Sequence, residues 1–486
     1  MKHQVFYPCG RLTRAESRPG PERWQAPGRR HNIRLFLFCV APSRTVIRLR
    51  ALPRYFLEKP VLRTVLPVLF VSSIPFLSAP AGEDSPEAPR AGPDPLLPNV
   101  VVIGRPAPDP SALSFEPEPD RRAPAADGGD LLRAVNGVSA GRMGGRGLEP
   151  VIRGQSQGRL NVLVDGAYIF GACPNRMDPP SSFAATEGWD RITVLKGVQT
   201  LLWGGGGTGG TVLYERDSWP AETGISSAAG AASTSNGTNY EVFGNAGFAT
   251  DRYYIRTRAQ HTDAGDYEDG SGNSVRSAYE ETAASLETGL TLTGDDRLEF
   301  IVDATRADDV RYPGAGMDAP KDDSDSYRLR YTAPAAGGEL RLESWYSKVH
   351  HRMDNFSVRP LTAPMAMAVP ARSQTLGGRA LLELPVGESW DLTVGADYLD
   401  NRRHATRFQG PDSDAVNSVN SYLWPGADLT DIGLILEAER SLGQGRLKAG
   451  MRYDHVQAGA GKADRDPPSP MLDSPDALYR AYYGRP

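Results

Sequence analysis

Cysteine is scarce in this chain, with three in 486 residues. Long apolar runs are missing too. Apart from one short stretch near the N-terminus, nothing approaches the ~18 apolar residues that a spanning helix needs, which excludes a helical membrane protein. Charge of one sign is not in excess either. The 54 basic and 59 acidic side chains leave a net charge of −5, whereas a nucleic-acid binder would show a basic patch or a high pI. What the chain does contain is 52 Gly, 40 Pro and a spread of 19 Tyr, 14 Phe and 7 Trp among charged residues. That mixture is compatible with an all-β protein, including a membrane barrel, whose alternating strands never build a hydropathy peak. The length allows roughly two to four ordinary domains.

Targeting decides which residues count. Val65–Val71 and Ile74–Leu77 form a short apolar core behind Lys59 and Arg63, and the small residues Ala79-Pro80-Ala81 follow. This is the build of a secretory signal over 61–81, with cleavage expected before Gly82. Residues 1–60 are Arg- and Pro-rich and read as an upstream extension from a misplaced translation start; a long, unusual leader is the alternative. Cleavage would remove Cys9 and Cys39 and leave Cys173 as the single Cys of the mature chain. A lone thiol in an oxidising compartment tends to be oxidised or paired between chains unless something uses it.

Residues 82–127 read as a flexible tail, because they are rich in Pro and acidic residues and poor in apolar ones. Within the tail, Val100, Val101, Val102 and Ile103 form a β-prone patch. Such a patch suits pairing with a partner's sheet edge, or else starts the next domain; residues 105–127 return to Pro-rich linker. Residues 128–217 carry compact α/β signals. A short capped helix is predicted over Asp130–Val135, and strands over Val151–Gly154, Asn161–Gly166 and Ile192–Gly197. The Gly run from Trp203 to Gly210 lacks the Lys-Ser/Thr of a phosphate loop and reads as a tight reversal between this domain and the first strand of the next.

From 218 to 486 the pattern is alternating segments of about ten residues separated by polar turns. Tyr240–Phe248, Arg252–Arg258, Leu298–Asp303, Leu340–Tyr346, Leu392–Tyr398 and Leu447–Asp454 are examples. Short links such as Thr293–Asp296 alternate with long ones expected at 307–325 and 404–429. Short turns at one end and long loops at the other are the layout of an outer-membrane barrel; a soluble sandwich rarely shows that asymmetry.

The order of signal, flexible tail, small α/β domain and barrel strands resembles the TonB-dependent outer-membrane receptors. The match is carried by Leu131–Val138, Ile152–Gly154, Val164–Gly166, Ile192–Gly197, Gln199–Gly204 and Gly209–Arg216. The resemblance implies an α/β plug filling a membrane all-β barrel. It also implies active import of a scarce ligand by a monomer in the outer membrane of a Gram-negative bacterium, with outer-membrane lipid around it. A TonB-type protein of the inner membrane would supply the energy by pulling on Val100–Ile103. Nucleic acid has no place in such a function. No Ser, His and acid arrangement accompanies these motifs, so no enzyme is expected. His261, His404 and His455 are scattered.

A finer resemblance is to the copper-receptor branch, carried by Gly171–Pro180 and Val349–Asn355. It implies copper binding by Cys173 and Met177 together with His351 and Met353. The donor chemistry agrees: thiolate and thioether sulfurs are soft ligands that favour Cu(I), and imidazole completes the set. His351 and Met353 lie two apart on an extended segment and so leave the same face. Pro174 lies between Cys173 and Met177, which suits a turn gathering both sulfurs. Blander readings stand beside this one. Each Met can be a core gap-filler, Cys173 a small buried hydrophobe, and His350 the ligand instead of His351. Met317, Met365 and Met367 are further sulfurs expected in outer loops.

One feature departs from the resemblance. It implies about twenty-two strands at roughly 20–25 residues each with their loops, but 276 residues follow Gly210. The chain therefore reads as a truncated product with about half of the barrel, expected as an open, curved sheet around the plug. A siderophore or other metal-chelate receptor, a passive pore and a non-functional remnant are the competing functions.

Overall fold

The structure is a computed structural model that describes residues 31–39, 112–117, 124–217, 223–387, 389–442, 445–466 and 473–483. The signal segment and Val100–Ile103 lie outside them.

The small domain is built on a five-stranded sheet. Its order is Ala112–Phe115, Arg191–Lys196, Gly210–Glu215, Leu160–Val164 and Ala167–Tyr168. Leu160–Val164 and Gly210–Glu215 run parallel, and Leu160–Val164, apolar except for Asn161, is buried throughout, as a strand covered on both faces requires. Asp127 caps the helix Gly128–Leu131, accepting from the Asp130 amide, and a 3-10 turn over Leu132–Ala134 follows. Leu132, Ile152, Val164, Ile192, Val194 and Val212 form the core.

Two expectations change here. Ala112–Phe115 lies in the stretch read as linker but pairs with Arg191–Lys196. A strand of four residues is too short to show a period, and the pairing comes from a strand about eighty positions away. The Gly run reverses the chain inside this domain, between Arg191–Lys196 and Gly210–Glu215, and not at its exit. The next large sheet begins at Gly224–Ala232.

Among the described residues, that sheet has eleven strands after the small domain, each antiparallel to its neighbour, from Gly224–Ala232 to Gly445–Ala460. The backbone of His31–Cys39 pairs along Gly445–Ala460, so the stretch read as an upstream extension contributes a twelfth strand. The strand order is linear, with His31–Cys39 and Gly224–Ala232 at its two edges. Along it, short links, such as those between Thr291 and Arg297 or Ala335 and Gly338, alternate with longer ones between Ala264 and Tyr279 or Asp354 and Ala366. The expected long loops are nevertheless shorter than the composition suggests. Arg297–Val310 and Asp318–Ala335 leave only 311–317 between them, and Trp390–Gly410 and Ser418–Leu442 leave 411–417. Asp-rich sequence stays in a strand when alternate carboxylates turn inward to buried cations.

The sheet is polar on its inner face and apolar outside. On Asp318–Ala335, Asp322, Ser324, Ser326, Arg328 and Arg330 are buried, whereas Tyr327 and Leu329 are exposed. Phe300, Leu342, Leu376, Val394 and Leu434 continue the outer apolar band. This inversion is the mark of a barrel wall facing lipid. Leu329→Arg, on that face, is expected to cost ~2–4 kcal/mol at the bilayer centre and less near its edge, read as a lower yield in the outer-membrane fraction.

The small domain sits against the inner face. Gly145 has no room for a side chain, since a Cβ would stand 1.8 Å from the Ser277 carbonyl. Asp165, in the Val164-Asp165-Gly166 turn, meets three arginines: Arg330 at 3.1 Å, Arg328 at 3.3 Å and Arg216 at 3.8 Å. Arg328 and Arg330 belong to the wall, and Arg216 to the small domain's exit. Glu287, Glu299 and Asp303 on neighbouring strands balance them.

Candidate metal centre between plug and barrel wall

The loop from Gly171 to Pro180 is shaped by its own carboxylate. Asp178 accepts the Ala172 amide at 2.6 Å and the Cys173 amide at 3.0 Å. The Arg176 amide closes the turn on the Cys173 carbonyl at 3.0 Å, with Arg176 in the left-handed region at φ 54°. Burial pushes the Asp178 carboxyl up to about 6, against the pull of His351 and its backbone donors. Pro180 then starts a 3-10 turn over Pro180–Phe183. Gly171 lies under the loop, where a Cβ would sit 2.0 Å from the Asp178 carbonyl. Gly171→Ala is therefore expected to open the turn and loosen the packing around Cys173, measurable as faster modification of the Cys173 thiol by a thiol reagent.

The wall brings the other half. On Gly338–Asp354 the inward face carries Trp345, Ser347, Val349, His351 and Met353, all buried. Cys173 Sγ stands 3.9 Å from Met353 Sδ, and His351 is 2% exposed beside them. His351 Nδ1 is 3.2 Å from Asp322 Oδ1 and 4.0 Å from Asp178 Oδ2. Asp322 is thus the side chain that engages Nδ1, while Nε2 has no hydrogen-bond partner among the described residues. A buried polar atom left unpaired costs about 1–3 kcal/mol, so an unpartnered Nε2 on a buried ring that interacts with Cys173 fits a soft metal ion as its partner.

Of the residues singled out in the sequence, Cys173, His351 and Met353 converge. Met177 is buried in the same apolar cluster. His350 lies on the other face of the strand from His351, with its side chain half-buried. Met317 packs half-buried against the cluster, while Met365 and Met367 flank the start of Ala366–Val386. Sequence reasoning missed Asp178, Asp322 and Arg146. Asp178 had a signal, being adjacent to Met177 in the loop motif. Asp322 had none, because its role depends on strand register. Arg146 is fully buried, with Nε 2.7 Å from Glu281 and Nη1 2.5 Å from Asp322.

Residues 112–211 match the TonB-dependent receptor plug domain. No curated protein matches the chain. Among solved structures, the copper transporter OprC is 30% identical, with 74% of this chain and 56% of that one covered at a TM-score of 0.65. A double mutant of the Serratia marcescens hemophore receptor HasR is 17% identical, covering 71% of this chain and 52% of that one at 0.58. The siderophore receptor PirA from Acinetobacter baumannii is 15% identical, covering 71% and 57% at 0.53. The last two likenesses concern the fold alone. The chain spans just over half the length of each of these structures. Its fold is a TonB-dependent receptor's plug with part of the surrounding barrel, the architecture of outer-membrane proteins of Gram-negative bacteria.

Proposed function

We propose that this chain, a TonB-dependent receptor by its plug and by the sheet around it, binds copper as Cu(I) for import into the periplasm. Cys173, Met177, His351 and Met353 are the ligands in this reading. The observation that carries it is the approach of Cys173 Sγ to Met353 Sδ at 3.9 Å beside a buried imidazole with an unpartnered Nε2. Thiolate, thioether and imidazole together favour Cu(I) over the hard ions that prefer oxygen. The likeness to a copper transporter at 30% identity supports the same cargo. A receptor for an iron chelate has no use for such a set, because its ligand arrives with the metal already enclosed.

The division of the donors suggests how the ion is let go. Cys173 and Met177 belong to the plug, His351 and Met353 to the wall. Any plug movement pulls thiolate away from imidazole and halves the donor set. In this reading a TonB-type protein drives that movement through Val100–Ile103. Two measurements on the full chain test the proposal. One equivalent of Cu(I) should be retained on desalting, and deletion of residues 100–103 should leave that binding intact while abolishing copper accumulation by cells. Undiminished accumulation after the deletion would make transport passive, and absence of retained copper would remove the metal from the reading.

A further inference from the structure

Asp322 stands directly opposite His351 on the neighbouring strand, and both side chains are buried. Its Oδ1 is 3.2 Å from His351 Nδ1. Its Oδ2 accepts from Arg146 Nη1 at 2.5 Å. Arg146 comes from the plug and is itself fixed, with Nη2 donating to the Ser182 carbonyl at 2.7 Å and Nε 2.7 Å from Glu281. Asp178 Oδ2, at 4.0 Å, lies near the same Nδ1. Both carboxylates of the cluster thus approach Nδ1, and Nε2 is left unpartnered.

A neutral imidazole carries its proton on one nitrogen and its free lone pair on the other. A carboxylate at Nδ1 selects the tautomer with the lone pair on Nε2, fixes the ring plane and strengthens the donor. We propose that Asp322, held in place by Arg146, is the positioning residue that fixes His351 with Nε2 presented to the Cys173–Met353 sulfurs. A plug arginine thereby sets the orientation of a ligand on the wall. The inference rests on the copper reading of Cys173, His351 and Met353.

A double-mutant cycle on the full chain in detergent tests it, with Cu(I) affinity read by competition against a chromophoric Cu(I) chelator. Asp322→Ala should weaken binding about 10–100-fold, the usual cost of losing such a support. His351→Ala should weaken it at least as much, and the double variant no further than His351→Ala alone. Asp322→Asn keeps an oxygen for Nδ1–H and should recover part of the loss. It also carries the cycle if Asp322→Ala fails to fold. Losses that multiply in the double variant, or an unchanged affinity in Asp322→Ala, would overturn the positioning role. Failure of the copper reading looks different: Cys173→Ser would then bind Cu(I) as the wild type does, whatever the cycle gives.

Discussion

Cys173→Ser is expected to eliminate tight Cu(I) binding while leaving the fold in place. The side chain is nearly isosteric and sits 5% exposed against Met353 and His351. The exchange trades the one soft anion of the set for a neutral hydroxyl, leaving two thioethers and an imidazole. Thioethers are weak donors and carry no charge to offset Cu(I). The loss should therefore exceed the about 10–100-fold typical of changes behind the ligands. Competition with a chromophoric Cu(I) chelator reads this directly, and an unaltered wall and plug should show the same protease pattern as the wild type. Retention of wild-type affinity would assign the thiol a packing role only.

The largest effect on stability is expected from Asp165→Asn. Asn tolerates the left-handed turn that Asp165 occupies at φ 51°, so the exchange removes charge while keeping shape. What remains is Arg216, Arg328 and Arg330 drawn together with their shared carboxylate gone. Breaking a buried pair by removing one partner costs about 3–5 kcal/mol. Burial works against the Asp165 carboxylate, but Arg330, Arg328 and Arg216 outweigh it and hold its pKa far below the usual range. With a depressed folded pKa, the contribution is fully present above the unfolded value of about 4 and is lost only as the pH falls toward the depressed one. The wild-type chain should accordingly hold its plug under mild acid. Asp165→Asn should lose it at a lower denaturant concentration at neutral pH, seen as earlier proteolysis of residues 124–217. An unchanged midpoint would mean that Glu287, Glu299 and Asp303 suffice to neutralise the arginines.

What could be read in the sequence follows from which signals are local. Alternation along Leu298–Asp303 or Leu340–Tyr346 is a property of the segment itself, and those segments are strands. The Cys173–Met177 spacing and the His351–Met353 pair are likewise local and lie on facing elements. Where the reading went astray, distant partners decide. Ala112–Phe115 is a strand because Arg191–Lys196 lies beside it. The Asp-rich stretch 318–325 is a strand and not a loop because its inward carboxylates find cations, with Asp318 held by Arg359 at 2.8 Å and Asp322 by Arg146. Asp322 reaches His351 only through the register of two strands, which no spacing in the chain encodes.

The central claim is a sulfur-rich copper site shared by plug and wall. X-ray absorption at the copper edge of the full chain loaded with one equivalent of Cu(I) tests it most directly. The account predicts a first shell dominated by sulfur with one imidazole nitrogen, and loss of a sulfur in Cys173→Ser. A shell of oxygen and nitrogen alone, unchanged by that substitution, would contradict it and place any copper elsewhere on the chain.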